Sequence, residues 1–148
     1  MARPRPRTLA RRVALQWLYQ CDAGGDADPA TRAAFLDRER LDPESRAFAD
    51  ALIDGTLAVR DALDAMLAGL STNWSLDRMT TVDRNILRLG AWELLHHPAT
   101  PPKVVLDEAI ELAKQFGTEH SGRFVNGILN RLMPQARAVR GESEPEAV

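Results

Sequence analysis

Apolar residues in this chain recur every third and fourth position, and nowhere do they alternate over a stretch long enough for a strand. That spacing lines one side of a helix, so the fold class it predicts is all-α. Leu9, Val13 and Trp17, with Leu15 and Leu18 beside them, set the stripe of a helix over about residues 9–22, capped by Thr8. Asp28 before Pro29, and Asp42 before Pro43, each place a capping carboxylate ahead of a proline at the first helical position. They predict helices over about 29–40 and 43–70. In the longer one Phe48, Leu52, Val59, Leu63, Met66 and Leu70 share a face. Gly55 stands where that face would carry an apolar side chain, which predicts a close helix crossing.

The stretch "STNWSLDRMTT" reads as a connector with one helical turn. Thr81 then caps "VDRNILRLGAWELLHH", whose Val82, Ile86 and Leu89 face inward. "TPPKVV" opens a helix carried by Val105, Ala109, Leu112 and Phe116, with Gly117 as a left-handed stop. A last helix starts at Thr118 or Ser121 and runs to about Met133, where Pro134 ends it. The expected organisation is an extended basic arm over residues 1–7, a helical domain over 8–134 with six or seven helices, and a disordered polar tail over 135–148. At 148 residues such a domain buries about two-thirds of its unfolded surface.

Net charge is −2, yet Arg3, Arg5, Arg7, Arg11 and Arg12 fall among the first twenty residues with no acid, which leaves −7 on the remainder. A basic arm on an acidic body predicts a polyanion partner, most simply nucleic acid. The competing reading is a solubilising terminus. The single cysteine, Cys21, excludes an internal disulfide and a zinc site built on several thiolates. No apolar run follows the basic N-terminus and none approaches the ~20 residues of a membrane span, so a cytoplasmic location is expected.

Catalytic constellations are scarce. His96 and His97 are adjacent, point about 100° apart on a helix, and suit a C-terminal cap better than a shared metal. His120 lies between Glu119 and Ser121, but no nucleophile elbow accompanies it. No glycine-rich phosphate loop is present. Asp107, Glu108 and Glu111 stand near a helix start, where acids favour the dipole. Glu93, between Trp92 and Leu94, reads as a buried acid paired with Arg88 or with an arginine of the first helix. No enzyme, cofactor or metal is predicted. A binding surface reads better: Arg84, Arg88, Lys114 and Arg123 suit phosphates, while Asn126 and Phe124 suit unpaired bases. For Phe124 the alternative is core packing beside Val125, Ile128, Leu129 and Leu132.

Three long segments, "ARRVALQWLYQ", "VDRNILRLGAWEL" and "VVLDEAIELAKQFGTEHSGRFVNGIL", together resemble the NusB family of transcription antitermination factors in order and spacing, over roughly residues 7–133. The resemblance implies two small helical bundles in one domain and no enzymatic activity. It implies binding of boxA-type single-stranded RNA from ribosomal RNA leaders, together with the ribosomal protein NusE, in an antitermination complex on RNA polymerase. Carried over by position, it points to Arg3, Arg5, Arg7, Arg11, Phe124 and Asn126 as RNA contacts, with Arg88 and Lys114 beside them, and to Tyr19 and Asp83 on the NusE side. Thr8 and Leu9 interrupt the arginine run expected of the family, and His120 replaces a position frequently acidic in it. A similar domain also opens a family of rRNA cytosine-5 methyltransferases; with the chain ending at Val148, the stand-alone factor is expected. The other functional class to be weighed is a protein-interaction module without sequence-selective RNA binding. A monomer or weak homodimer is expected.

Overall fold

Proline and carboxylate caps start most of the helices, and one nearly all-buried helix organises them. The structure, a computed structural model, describes residues 5–25, 27–71 and 78–142. The described residues form seven helices: α1 (Pro6–Asp22), α2 (Pro29–Arg38), α3 (Pro43–Ala58), α4 (Arg60–Leu70), α5 (Thr81–His96), α6 (Pro102–Phe116) and α7 (Ser121–Arg140). Asp28 and Asp42 cap as expected, accepting from the backbone N–H of Thr31 at 2.8 Å and Ser45 at 2.9 Å. The cap of α5 is Thr80 rather than Thr81, its hydroxyl accepting from the N–H of Asp83.

α5 is buried from Ile86 through Ala91, on every face, as a helix at the centre of a bundle must be. On one side it packs against α1 and α3, with α2 joining through α1. On the other it packs against α6 and α7, with α4 laid across α5 and α7. Gly55 lets α3 meet α5 closely: a Cβ there would stand 2.1 Å from the Trp92 indole. The expected tight crossing is present.

Four further expectations are corrected. α1 starts at Pro6, not after Thr8; the Thr8 hydroxyl instead donates to Glu108 of α6 at 2.7 Å. The predicted helix over 43–70 is two helices, broken at Val59 (φ −120°, ψ 21°), with Leu63 and Leu67 as the buried residues of the second. Gly117 is extended (φ −95°, ψ −161°), not left-handed. Its lack of a side chain matters for space, since a Cβ would lie 2.5 Å from that of Ser121.

The fourth correction concerns the end of the domain. α7 runs through Pro134 to Arg140, so residues 135–140 of the expected tail are helical; 143–148 lie outside the described residues. The left-handed glycine stop is Gly141 (φ 71°), with the Glu142 N–H reaching the Arg137 carbonyl at 2.8 Å in a Schellman arrangement.

Candidate nucleic-acid interface

The arginines near the N-terminus divide into free and committed groups. Arg5 and Arg7 are exposed, and the Arg7 guanidinium lies 4.1 Å from the centre of the Phe48 ring. Phe48 in turn meets His97, which stacks on Trp92, so Arg7 rests on an aromatic column rather than swinging free. Arg3 lies outside the described residues. Arg11 is different: it is 4% exposed and grips both Glu93 oxygens, at 2.7 and 2.9 Å. Glu93 is therefore the buried, paired acid expected, and its partner comes from the first helix. We leave Arg11 out of the proposed RNA surface, because its guanidinium reaches a phosphate only by breaking a buried pair.

Arg12 belongs to the basic N-terminal run but not to the contacts that the family resemblance points to. Its Nε is buried without a hydrogen-bond partner. Arg12 and Tyr19, spaced by seven, share one side of α1, and Arg5 stands seven residues before Arg12 at the helix N-cap. Tyr19, 46% exposed, ends the stripe. That spacing was the signal in the sequence that could have found Arg12.

Arg88 is committed as firmly as Arg11. It holds Asp64 of α4 through Nε and Nη2 at 2.7 and 2.8 Å, and Asp22 of α1 through Nη1 at 2.9 Å. Asn85 donates to the same Asp22 oxygen at 2.9 Å. This network joins α1, α4 and α5, and it takes Arg88 out of the proposed surface too. Burial alone would push the Asp22 carboxyl up. The Asn85 hydrogen bond and the Arg88 and Arg84 charges outweigh it and hold Asp22 below its ordinary value of 3.8. A lowered carboxyl contributes stability present above its unfolded value and lost as pH falls through the folded one. Asp22→Asn is thus expected to flatten the acid side of the stability profile below pH ~4 while sparing neutral pH less well than wild type, as read by chemical unfolding across pH.

At the start of α7 the structure separates residues the sequence set side by side. Phe124 is half-buried and lines a cavity of about 270 Å³ with Met79, Thr80, Asp83, His120 and Ser121. Asn126 faces a second groove, of about 470 Å³, with Lys114, Arg123 and Gly122. The Asn126 side chain is held there by Asn130, which donates to its Oδ1 at 2.9 Å. Lys114 has only a loose exposed pair with Glu111 at 3.6 Å. Asp83 is 8% exposed and lines the Phe124 cavity. The Asn85–Asp22 bond brings its end of α5 to the Tyr19 end of α1. The stripe on α1 therefore leads from the arm toward the end of the bundle that carries this cavity.

Among the described residues there is no group of three or more potential metal ligands and no helix long and apolar enough to cross a membrane. The sequence model of the NusB family matches residues 8–134. This chain belongs to the NusB family. A transcription antitermination protein NusB of Sorangium cellulosum is 49% identical over 126 residues, covering 85% of this chain and 90% of the relative. The solved NusB of T. maritima superposes with a TM-score of 0.79 at 36% identity, over 91% of this chain and 94% of that one. A structure of antitermination factors NusB and NusE in complex with dsRNA contains a chain with a TM-score of 0.79 at 27% identity, over 90% of this chain and 99% of that one. The all-helical expectation and the family resemblance both hold.

Proposed function

We propose that this NusB-family chain is a non-enzymatic antitermination factor of the cytoplasm that binds boxA-type single-stranded RNA together with NusE. One observation carries the reading: exposed and half-buried cations at the start of α1 and along it lead toward an end of the bundle where Phe124 offers an aromatic wall to a base. Arg5, Arg7, Arg12 and, at the second groove, Arg123 are the phosphate contacts, with Arg3 and Lys114 supplementing them. Phe124 stacks on a base, Asn126 reads from the far side of α7, and Tyr19 faces the protein partner. A solved structure of antitermination factors NusB and NusE in complex with dsRNA supports NusE as protein partner and RNA as ligand class.

Fluorescence-anisotropy titration of a boxA-like RNA against a scrambled one, with and without NusE, tests the proposal. Selective binding that tightens with NusE is expected. Four phosphate contacts predict that log affinity falls with log salt at a slope of roughly −3, or about fiftyfold between 50 and 200 mM. A flat salt response would remove the arginines from the interface. Phe124→Ala is expected to weaken binding about tenfold to hundredfold, the cost of one lost base stack. Equal binding of both RNAs with NusE still bound would favour the protein-interaction module instead.

A further inference from the structure

α6 and α7 pack side by side and leave a groove of about 530 Å³ between them. Lys103 and Leu106, three apart on α6, form one wall; Met133, Pro134 and Arg137 of α7 form the other. Met133 is buried and Leu106 half-buried, so the floor is apolar, while Lys103 is exposed and Arg137 half-buried. Neither cation pairs with a carboxylate among the described residues. Glu142 closes one end of the groove. The Schellman turn at Gly141 has folded the chain back there, with the Glu142 N–H on the Arg137 carbonyl at 2.8 Å and its carboxylate 3.7 Å from Nη1 of Arg140. The chain therefore passes Glu142 at the mouth of the groove. Six residues follow in the sequence, "SEPEAV", with two glutamates and no lysine or arginine. Extended, six residues reach about 20 Å.

We propose that residues 143–148 dock in the α6–α7 groove, with Glu144 and Glu146 paired to Lys103 and Arg137, as a built-in competitor that screens these cations from polyanions. Two glutamates answer two unpaired cations, and Pro145, Ala147 and Val148 supply apolar groups for the floor. Pro145 also favours an extended Glu144, the form that follows a groove. Exposed ion pairs are weak singly, and attachment is what makes them count. A segment joined directly at the mouth acts at an effective concentration on the order of millimolar. An RNA phosphate in the same groove would meet the like charge of Glu142 and would have to displace the attached segment.

The docking is tested on the full-length protein with a water-soluble carbodiimide, which joins a lysine amine to a carboxylate in contact with it. At 50 mM salt, peptide mass spectrometry is expected to find Lys103 joined to Glu144 or Glu146, and several-fold less at 0.5 M salt, where exposed pairs are screened. Mixing ¹⁵N-labelled and unlabelled protein should give no mixed-mass product, which places both partners in one molecule. A chain ending at Glu142 keeps the Arg140 bonds and should melt near wild type. Its affinity for a scrambled single-stranded RNA at 50 mM salt is expected to rise about threefold, and Lys103→Gln with Arg137→Gln should abolish that gain. Absence of the Lys103 cross-link, or a cross-link formed only between two molecules, overturns the docking. An RNA affinity unchanged by the truncation, but weakened by Lys103→Gln with Arg137→Gln in the full-length chain, assigns the groove to RNA and overturns it too. The second readout alone rests on the RNA-binding reading. The cross-link in a protein that binds no RNA in any variant would overturn that reading and uphold the docking.

Discussion

Replacing Glu93 with alanine is expected to destabilise the fold by about 3–5 kcal/mol, because it strands the Arg11 guanidinium without its counter-charge. Arg11 and Glu93 are 4% and 2% exposed, so water cannot substitute for the missing carboxylate. The nearest other acid, Glu108, sits 3.7 Å from Nη1 and already accepts from Thr8. Against a total stability of about 5–15 kcal/mol, such a loss threatens folding itself. At about 3 °C per kcal/mol for a chain of this size it lowers the melting temperature by roughly 10 °C. Chemical unfolding and a thermal melt read it directly. A drop under about 1 kcal/mol would mean that solvent reaches the pair.

Replacing both partners separates structure from function. Arg11→Met with Glu93→Leu fills the same space without charge and is expected to be near neutral or stabilising, as buried pairs often are when exchanged for apolar side chains. If Arg11 serves the fold alone, this double variant keeps the RNA affinity of wild type. A loss beyond about tenfold would return Arg11 to the RNA surface and imply that RNA competes with Glu93 for it.

What was legible in the sequence was what is decided within a few residues. Asp28 and Asp42 cap because each carboxylate reaches an N–H three residues on, a bond local enough to read from letters. Gly55 was legible because a gap in an apolar stripe has few uses inside a bundle. The misreadings share a different cause. Val59 carries no glycine or proline signal; α4 leaves the line of α3 and seats Asp64 on Arg88, twenty-four residues away. Gly117 reads equally as a left-handed stop or as a spacer, and only the position of Ser121 decides.

The site divides the same way. The excess of arginine at the N-terminus was plain, but which arginine is free depends on an acid far along the chain: Glu93 for Arg11, and Asp64 and Asp22 for Arg88. Charge counting sees none of these pairings. Phe124 and Asn126, two residues apart, looked like one motif. A helix turns about 200° over two residues, so they serve two grooves.

Arg140 carries the other large expected effect. Arg140→Ala should cost about 2–4 kcal/mol, since bonds from a charged donor contribute about 1.5–3 kcal/mol each and some of the freed carbonyls regain water. The guanidinium is 2% exposed and fans across the C-terminal end of α5. Nε donates to the Leu94 carbonyl at 2.8 Å, Nη1 to Thr100 at 2.8 Å and Pro98 at 3.2 Å, and Nη2 to Glu93 at 3.0 Å and His97 at 3.3 Å. Helix ends leave such carbonyls without partners, and a cation there also meets the negative end of the dipole. Lysine should not rescue, because a single ammonium cannot reproduce a planar fork with five donors. Pro134 reads locally as the end of α7, and these long-range bonds are what make the helix worth continuing past it. Truncation after Met133 should therefore destabilise at least as much as Arg140→Ala. The clamp also bears on RNA, because His97 supports Phe48 and Phe48 carries Arg7. Loosening the 97–101 turn should weaken RNA binding several-fold, although Arg140 is not among the proposed contacts. A thermal melt of Arg140→Ala within about 1 °C of wild type would show the clamp to be dispensable. A large loss of stability with RNA affinity unchanged at low temperature would confine its role to the fold.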